Sequence, residues 1–196
     1  MTKDVRVLKR ELLHEGDGRL ERVRYGFERR DGTAVEIEED YLHYGHSVGV
    51  LPIDRNRGTV LVIRQVRVPV LFEGDGSWIL ETCAGMIEAD DVDRTAAVRR
   101  EALEELGYRI SNPEEIGRVF LTPGCVSERI GLFLADYTPD DRETGGGGVD
   151  AEGEDVEVIE MPFADLARLA KEGRIQDASL LMLTQAVMLR YPELWT

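Results

Sequence analysis

The segment that most invites chemistry is Arg100-Glu101-Ala102-Leu103-Glu104-Glu105-Leu106-Gly107-Tyr108. On a helix, Glu101, Glu104 and Glu105 stand at i, i+3 and i+4 and share one face. Ala96, Ala102, Leu103 and Leu106 fall on the other and can pack on a sheet. Like charges at i, i+4 destabilise a helix by roughly 0.2–0.5 kcal/mol per pair. A solvated face tolerates that cost, and a solvated acidic face is the plain structural reading of the run. A cation among the side chains would remove the cost, and carboxylate oxygens are the ligands Mg²⁺ prefers. Spacing alone leaves both readings open, so context has to separate them.

The context is a series of short elements. Trp78 to Cys83 reads as a strand, and the Gly-containing run Glu81-Thr82-Cys83-Ala84-Gly85-Met86-Ile87-Glu88 feeds a helix predicted over Asp93 to Leu106, with Gly107 as its stop. Ser47 to Ile53 and Thr59 to Val66 are predicted strands, as are Arg118 to Leu121, Ile130 to Tyr137 and Val156 to Met161. Pro162 to Glu172 and Ala178 to Leu189 are predicted helices. Ahead of them, Val5 to Glu15 alternates like a strand, and Arg22 to Glu39 reads as a hairpin turning at Asp31-Gly32. We therefore expect a small antiparallel unit over residues 1–45, which can bury little by itself, and a second unit over 46–196. Gly145 to Gly148, after Thr144, has the composition of a flexible linker. The class is α+β.

The formal net charge of −15 opposes nucleic acid and anionic membrane as partners. Solubility accounts for much of it, but the acids crowd at Glu36–Asp40, Glu88–Asp93, Glu101–Glu105 and Asp150–Glu160, and clustered carboxylates are costly unless a cation sits among them. No apolar run approaches the roughly 18–20 residues needed to cross a bilayer, and no signal peptide is seen. Two cysteines, Cys83 and Cys125, without C-x-x-C spacing fit a cytoplasmic setting. His43 and His46 show no metal-binding pattern.

The run from Gly85 to Tyr108 resembles the Nudix box: Gly, five residues, Glu, seven residues, then Arg-Glu-apolar-x-Glu-Glu-x-Gly-apolar. Here Asp91 stands where the first Glu usually does, and eight residues rather than seven separate it from Arg100. The resemblance implies an α/β/α sandwich with a mixed sheet. It implies a pyrophosphohydrolase using two or three Mg²⁺ ions (or Mn²⁺) per site. By position, Glu101 and Glu105 are the core metal ligands, Glu104 a third, the Ala84 carbonyl a further one, and Arg100 the residue that orients the carboxylates.

Val60 to Arg67, Glu81 to Gly85, Leu121 to Glu128 and Gly145 to Glu157 resemble the ADP-ribose and GDP-mannose pyrophosphatase branch, with Pro123 a marker of ADP-ribose-type members. That branch implies Glu152 as catalytic base and Glu154 as metal ligand. It also implies Arg67, Arg64, Glu128 and Glu81 as residues that contact substrate. Alternation places Arg64 and Arg67 on opposite faces of their strand, with Gln65 beside Arg67. The resemblance further implies a homodimer in which the N-terminal unit completes the partner's site. The expected substrate is a nucleoside diphosphate sugar, GDP-mannose or ADP-ribose. A domain that binds such a ligand without cleaving it is the alternative.

Overall fold

The computed structural model describes residues 4–74, 76–149, 153 and 155–195, and two compact units emerge. The first comprises Met1–His46 with Phe120–Arg129. Three antiparallel strands, β1 (Arg6–Glu15), β2 (Arg19–Glu28) and β3 (Ala34–His43), form its sheet in the order β1-β2-β3. Cross-strand charge pairs help set the register. Arg22 lies opposite Asp40 and grips it with two bonds of 2.7 and 2.8 Å, while Arg10 meets Glu21. The loop 120–129 is tied to the end of β3. The Leu42 amide donates to the Cys125 carbonyl, the Ser127 amide donates to the Leu42 carbonyl, and His43 Nδ1 lies 2.7 Å from Ser127 Oγ. Every residue of β1 is exposed, Val5 and Val7 just before and within it included.

The second unit is Ser47–Val119 with Ile130–Thr196. Its sheet runs β10-β5-β4-β9-β8, from β4 (His46–Asp54), β5 (Thr59–Val66), β8 (Ser111–Val119), β9 (Arg129–Asp136) and β10 (Glu157–Pro162). Two short strands complete it: β6 (Trp78–Glu81) pairs with β5, and β7 (Cys83–Met86) pairs with β4. Alternation along the central strands builds two cores. Val48, Val50, Leu61, Ile63 and Phe133 face α2 (Arg94–Glu101) and its continuation Ala102–Leu106. Leu51, Ile53, Val60, Val62 and Leu132 face α3 (Phe163–Lys171) and α4 (Ala178–Arg190). Both faces are covered, which explains the nearly unbroken apolar reading of β4 and β5. Each such side chain stabilises the fold by about 1.5–3 kcal/mol.

Several features differ from the sequence reading. The strand expected over Arg118 to Leu121 is β8, which runs from Ser111 to Val119. The single strand expected over Trp78 to Cys83 is two strands, β6 and β7, which change partner at Thr82. There the Thr82 hydroxyl, 2% exposed, donates to the Val50 carbonyl at 2.5 Å. A short helix, α1 (Val68–Glu73), was not anticipated. Pro69 opens it, Gly74 closes it at positive φ, and it buries no side chain. Finally, the glycines after Thr144 are docked rather than free, as described below.

Candidate active site

The acidic helix begins where its cap dictates: the Asp93 carboxylate accepts from the Ala96 amide at 2.8 Å. From Ala102 to Leu106 it widens into a π-turn, and Gly107 ends it at φ 78°. π-turns are rare and favour functional sites. The acidic face is not solvated, because Glu101 is 8% exposed and Glu105 2%. The plain reading of the run therefore fails, and each buried carboxylate needs a reason.

Part of that reason lies in β7. Gly85 pairs with Val48, and a Cβ there would overlap the Glu101 carboxylate where it now sits; the bare backbone leaves that place to the carboxylate. Next to it, the Ala84 amide donates to Glu105 Oε2 at 3.0 Å. The fully buried Cys83 thiol lies in the field of the same carboxylate. Burial pushes that thiol well up, and the Glu105 charge adds to the effect, so sulfur stays a protonated thiol rather than a soft thiolate ligand.

Arg100 is the hub. Its guanidinium donates to the Met86 carbonyl (2.9 Å), Asp91 (3.0 Å) and Glu104 (2.9 Å), and pairs with Glu101 (2.9 Å) and Glu88 (3.4 Å). Burial works against its charge, but the Asp91 bond and the surrounding carboxylates outweigh it and hold it cationic. Asp91, despite the extra residue in its loop, reaches this hub and also accepts from the Glu88 amide. Arg99 points elsewhere, donating to the Ile110 carbonyl.

Arg100 holds the Asp91 carboxyl below the usual carboxylate range, against the cost of burial. A carboxyl depressed in the fold stabilises it above its unfolded value, about 3.9, and that contribution is lost as pH falls through the folded value. We therefore expect the unfolding temperature to drop below about pH 4. Asp91→Asn should show a flatter acid limb in a thermal scan against pH; an unchanged limb would remove Asp91 from this account.

A second cluster adjoins the first. Gln65 and Arg67 converge on Glu81, Gln65 with one bond of 2.9 Å and Arg67 with contacts of 2.9 to 3.1 Å. Burial opposes the Arg67 charge, which Glu81 sustains first and Glu105 and Asp177 further, so the two clusters share one field. Asp177 escaped the sequence reading. It caps α4 through the Leu180 amide at 2.5 Å, and burial, with Glu81 nearby, pushes its carboxyl up. Its signal was an Asp immediately before an apolar helical run.

The structure thus gathers Ala84, Glu101, Glu104, Glu105 and Arg100, with Glu81 and Arg67 alongside. Arg64 is not among them: it pairs with Glu157 on β10 at 2.5 Å and lies over Trp78. Glu128 belongs to the 120–129 loop of the first unit. Glu152 and Glu154 lie outside the described residues. Among the described residues, no three His, Cys, Asp or Glu side chains form a ready metal nest.

A family model for the NUDIX domain matches residues 43–183. This chain belongs to the Nudix hydrolase family. The GDP-mannose pyrophosphatase of Cronobacter sakazakii is 35% identical over 191 residues, 97% of this chain and 98% of that protein. That of Pectobacterium atrosepticum is 34% identical, covering 97% of each. The crystal structure of an ADP compounds hydrolase superposes with a TM-score of 0.70 at 19% identity, covering 95% of both chains; it shares the fold. The Nudix helix, β7 and the Arg100 hub all fall within the matched residues.

Proposed function

We propose that this chain hydrolyses the diphosphate of a nucleoside diphosphate sugar, GDP-mannose or ADP-ribose, to a nucleoside monophosphate and a sugar phosphate. The observation that carries the reading is the pair of buried carboxylates, Glu101 and Glu105, held against β7 beside the Arg100 hub. The relatives named GDP-mannose pyrophosphatase support the substrate class.

The donor set suits Mg²⁺ or Mn²⁺. It is made of hard carboxylate oxygens, its one thiol is kept protonated, and Gly85 clears space for Glu101. Glu101, Glu104, Glu105 and the Ala84 carbonyl would hold the two or three ions together with Glu154. Such ions supply charge neutralisation and Lewis acidity to the diphosphate. Arg100 orients the carboxylates. Arg67, anchored by Glu81, offers a cation to an anionic substrate in a strongly acidic protein, and Glu152 takes the proton of the attacking water. Arg64, committed to Glu157, and Glu128, in the first unit, are assigned to substrate contact by the resemblance.

One panel tests this: GDP-mannose, ADP-ribose, other sugar nucleotides and a nucleoside triphosphate, each with Mg²⁺ and with Mn²⁺, read by product mass. Nucleoside monophosphate from a sugar nucleotide, abolished by chelator, is the expected result. Binding without any cleavage would establish the non-catalytic alternative instead.

We also propose a homodimer. The first unit leaves Val5, Val7, Leu8, Leu12 and Leu13 exposed, apolar side chains that a second copy would cover. Light scattering at low micromolar concentration should give twice the chain mass, and a monomer mass would refute it.

A further inference from the structure

Gly145 to Gly148 have the composition of a spacer, yet Gly146, Gly147 and Gly148 adopt φ of 69°, 112° and 85° and close onto the end of the acidic helix. The Gly147 amide donates to the Glu105 carbonyl at 2.8 Å, and the Gly148 amide to the Glu104 carbonyl at 3.1 Å. The Glu143 and Thr144 amides donate to the Gly107 carbonyl at 2.8 and 3.1 Å. At Gly146 and Gly107 the two backbones leave no room for a side chain. A Cβ on Gly146 would lie 2.5 Å from the Glu105 carbonyl oxygen, and one on Gly107 would lie 2.6 Å from both the Gly146 nitrogen and the Thr144 oxygen.

The last carbonyls of a helix lack intrahelical partners. Here two of the carbonyls so satisfied belong to Glu104 and Glu105. Glu105 is therefore held at both ends: its carboxylate by the Ala84 amide, its carbonyl by Gly147. Moving the glycine segment would move the π-turn and swing that carboxylate.

We propose that Gly146 and Gly147 are positioning residues of the active site, a backbone clamp that sets the Glu105 carboxylate by fixing the π-turn it stands on. The claim rests on the hydrolase reading above. Disturbing the groups that orient metal ligands costs about 10–100-fold in metal affinity or activity.

The test compares Gly146→Ala with Gly145→Ala in the full chain. Gly145 has open space around it and serves as control. Binding of Mn²⁺ alone is followed by electron paramagnetic resonance, kcat and KM are measured separately, and thermal unfolding checks folding. Gly146→Ala should bind Mn²⁺ about 10–100-fold more weakly and lose kcat by a similar factor, with KM for the sugar nucleotide nearly unchanged; Gly145→Ala should match the wild type. If Gly146→Ala does not fold, Gly147→Ala carries the same measurements. Its added Cβ meets nothing closer than the Val156 carbonyl at 3.9 Å, while its φ is strained. A folded variant with wild-type Mn²⁺ affinity and kcat overturns the clamp. So does failure of both variants to fold, which would make the glycines a folding requirement only. A wild type that neither binds Mn²⁺ nor turns over sinks the hydrolase reading itself, and the clamp with it.

Discussion

Glu105→Gln abolishes most turnover while the protein stays folded: the loss should exceed about 100-fold, since perturbing the neighbours of a metal ligand already costs about 10–100-fold. The substitution keeps the shape of a side chain that is 2% exposed and leaves an oxygen to accept from the Ala84 amide. It removes the charge and exchanges one anionic oxygen for an NH2 group. A hydrogen bond to a neutral rather than an ionised acceptor differs by about 1–2 kcal/mol, and relief of repulsion with Glu101 and Glu104 offsets part of that. The unfolding temperature should therefore move by a few degrees at most, about what 1 kcal/mol produces. Steady-state kinetics with saturating Mg²⁺ decides the matter: near-normal kcat would remove Glu105 from the chemistry.

Arg100→Met should cost both stability and activity. The guanidinium touches Asp91, Glu101, Glu104, Glu88 and the Met86 carbonyl, with a quarter of the side chain exposed. Removing one partner of a buried ion pair costs about 3–5 kcal/mol, because the other charges stay behind; partial exposure places the expected loss near the lower end, about 3 kcal/mol. Urea unfolding at constant m-value measures it. Arg100→Lys should recover only part, because an ammonium keeps the charge but not the planar fork that serves several acceptors at once. Added Mg²⁺ should stabilise Arg100→Met more than the wild type, the cation replacing part of the missing positive charge. A loss under about 0.5 kcal/mol, the range of ordinary surface substitutions, would mean that the acids do not depend on Arg100.

Much of this is legible in the sequence. Asp93 before an apolar-periodic run and Gly107 after it marked the helix, and both ends hold. Period-two alternation separated Arg64 from Gln65 and Arg67, as the pairings with Glu157 and Glu81 show. What stayed hidden depends on contacts distant in sequence. Helical periodicity placed Glu101, Glu104 and Glu105 on one face but could not show that the sheet buries two of them. The spacing between Asp91 and Arg100 left the role of Asp91 open, because a loop can absorb a residue without losing a 3.0 Å contact. Four glycines look like slack in any window, and only the facing backbone shows why a side chain is barred at Gly146. Asp177 lies 96 residues from Glu81, and only the fold brings the two charges together.

The change of partner at Thr82 also bears on how this family can vary in length. β6 is in register with β5 and β7 with β4, so losing or gaining a single residue between Trp78 and Met86 would turn Cys83, Ala84 and Gly85 inside out relative to Glu101 and Glu105. The stretch from Ile87 to Asp93 carries no such obligation, and there an additional residue is carried without parting Asp91 from Arg100. Insertions and deletions among related chains should accordingly collect in that connection and be purged from Trp78 to Met86 before it.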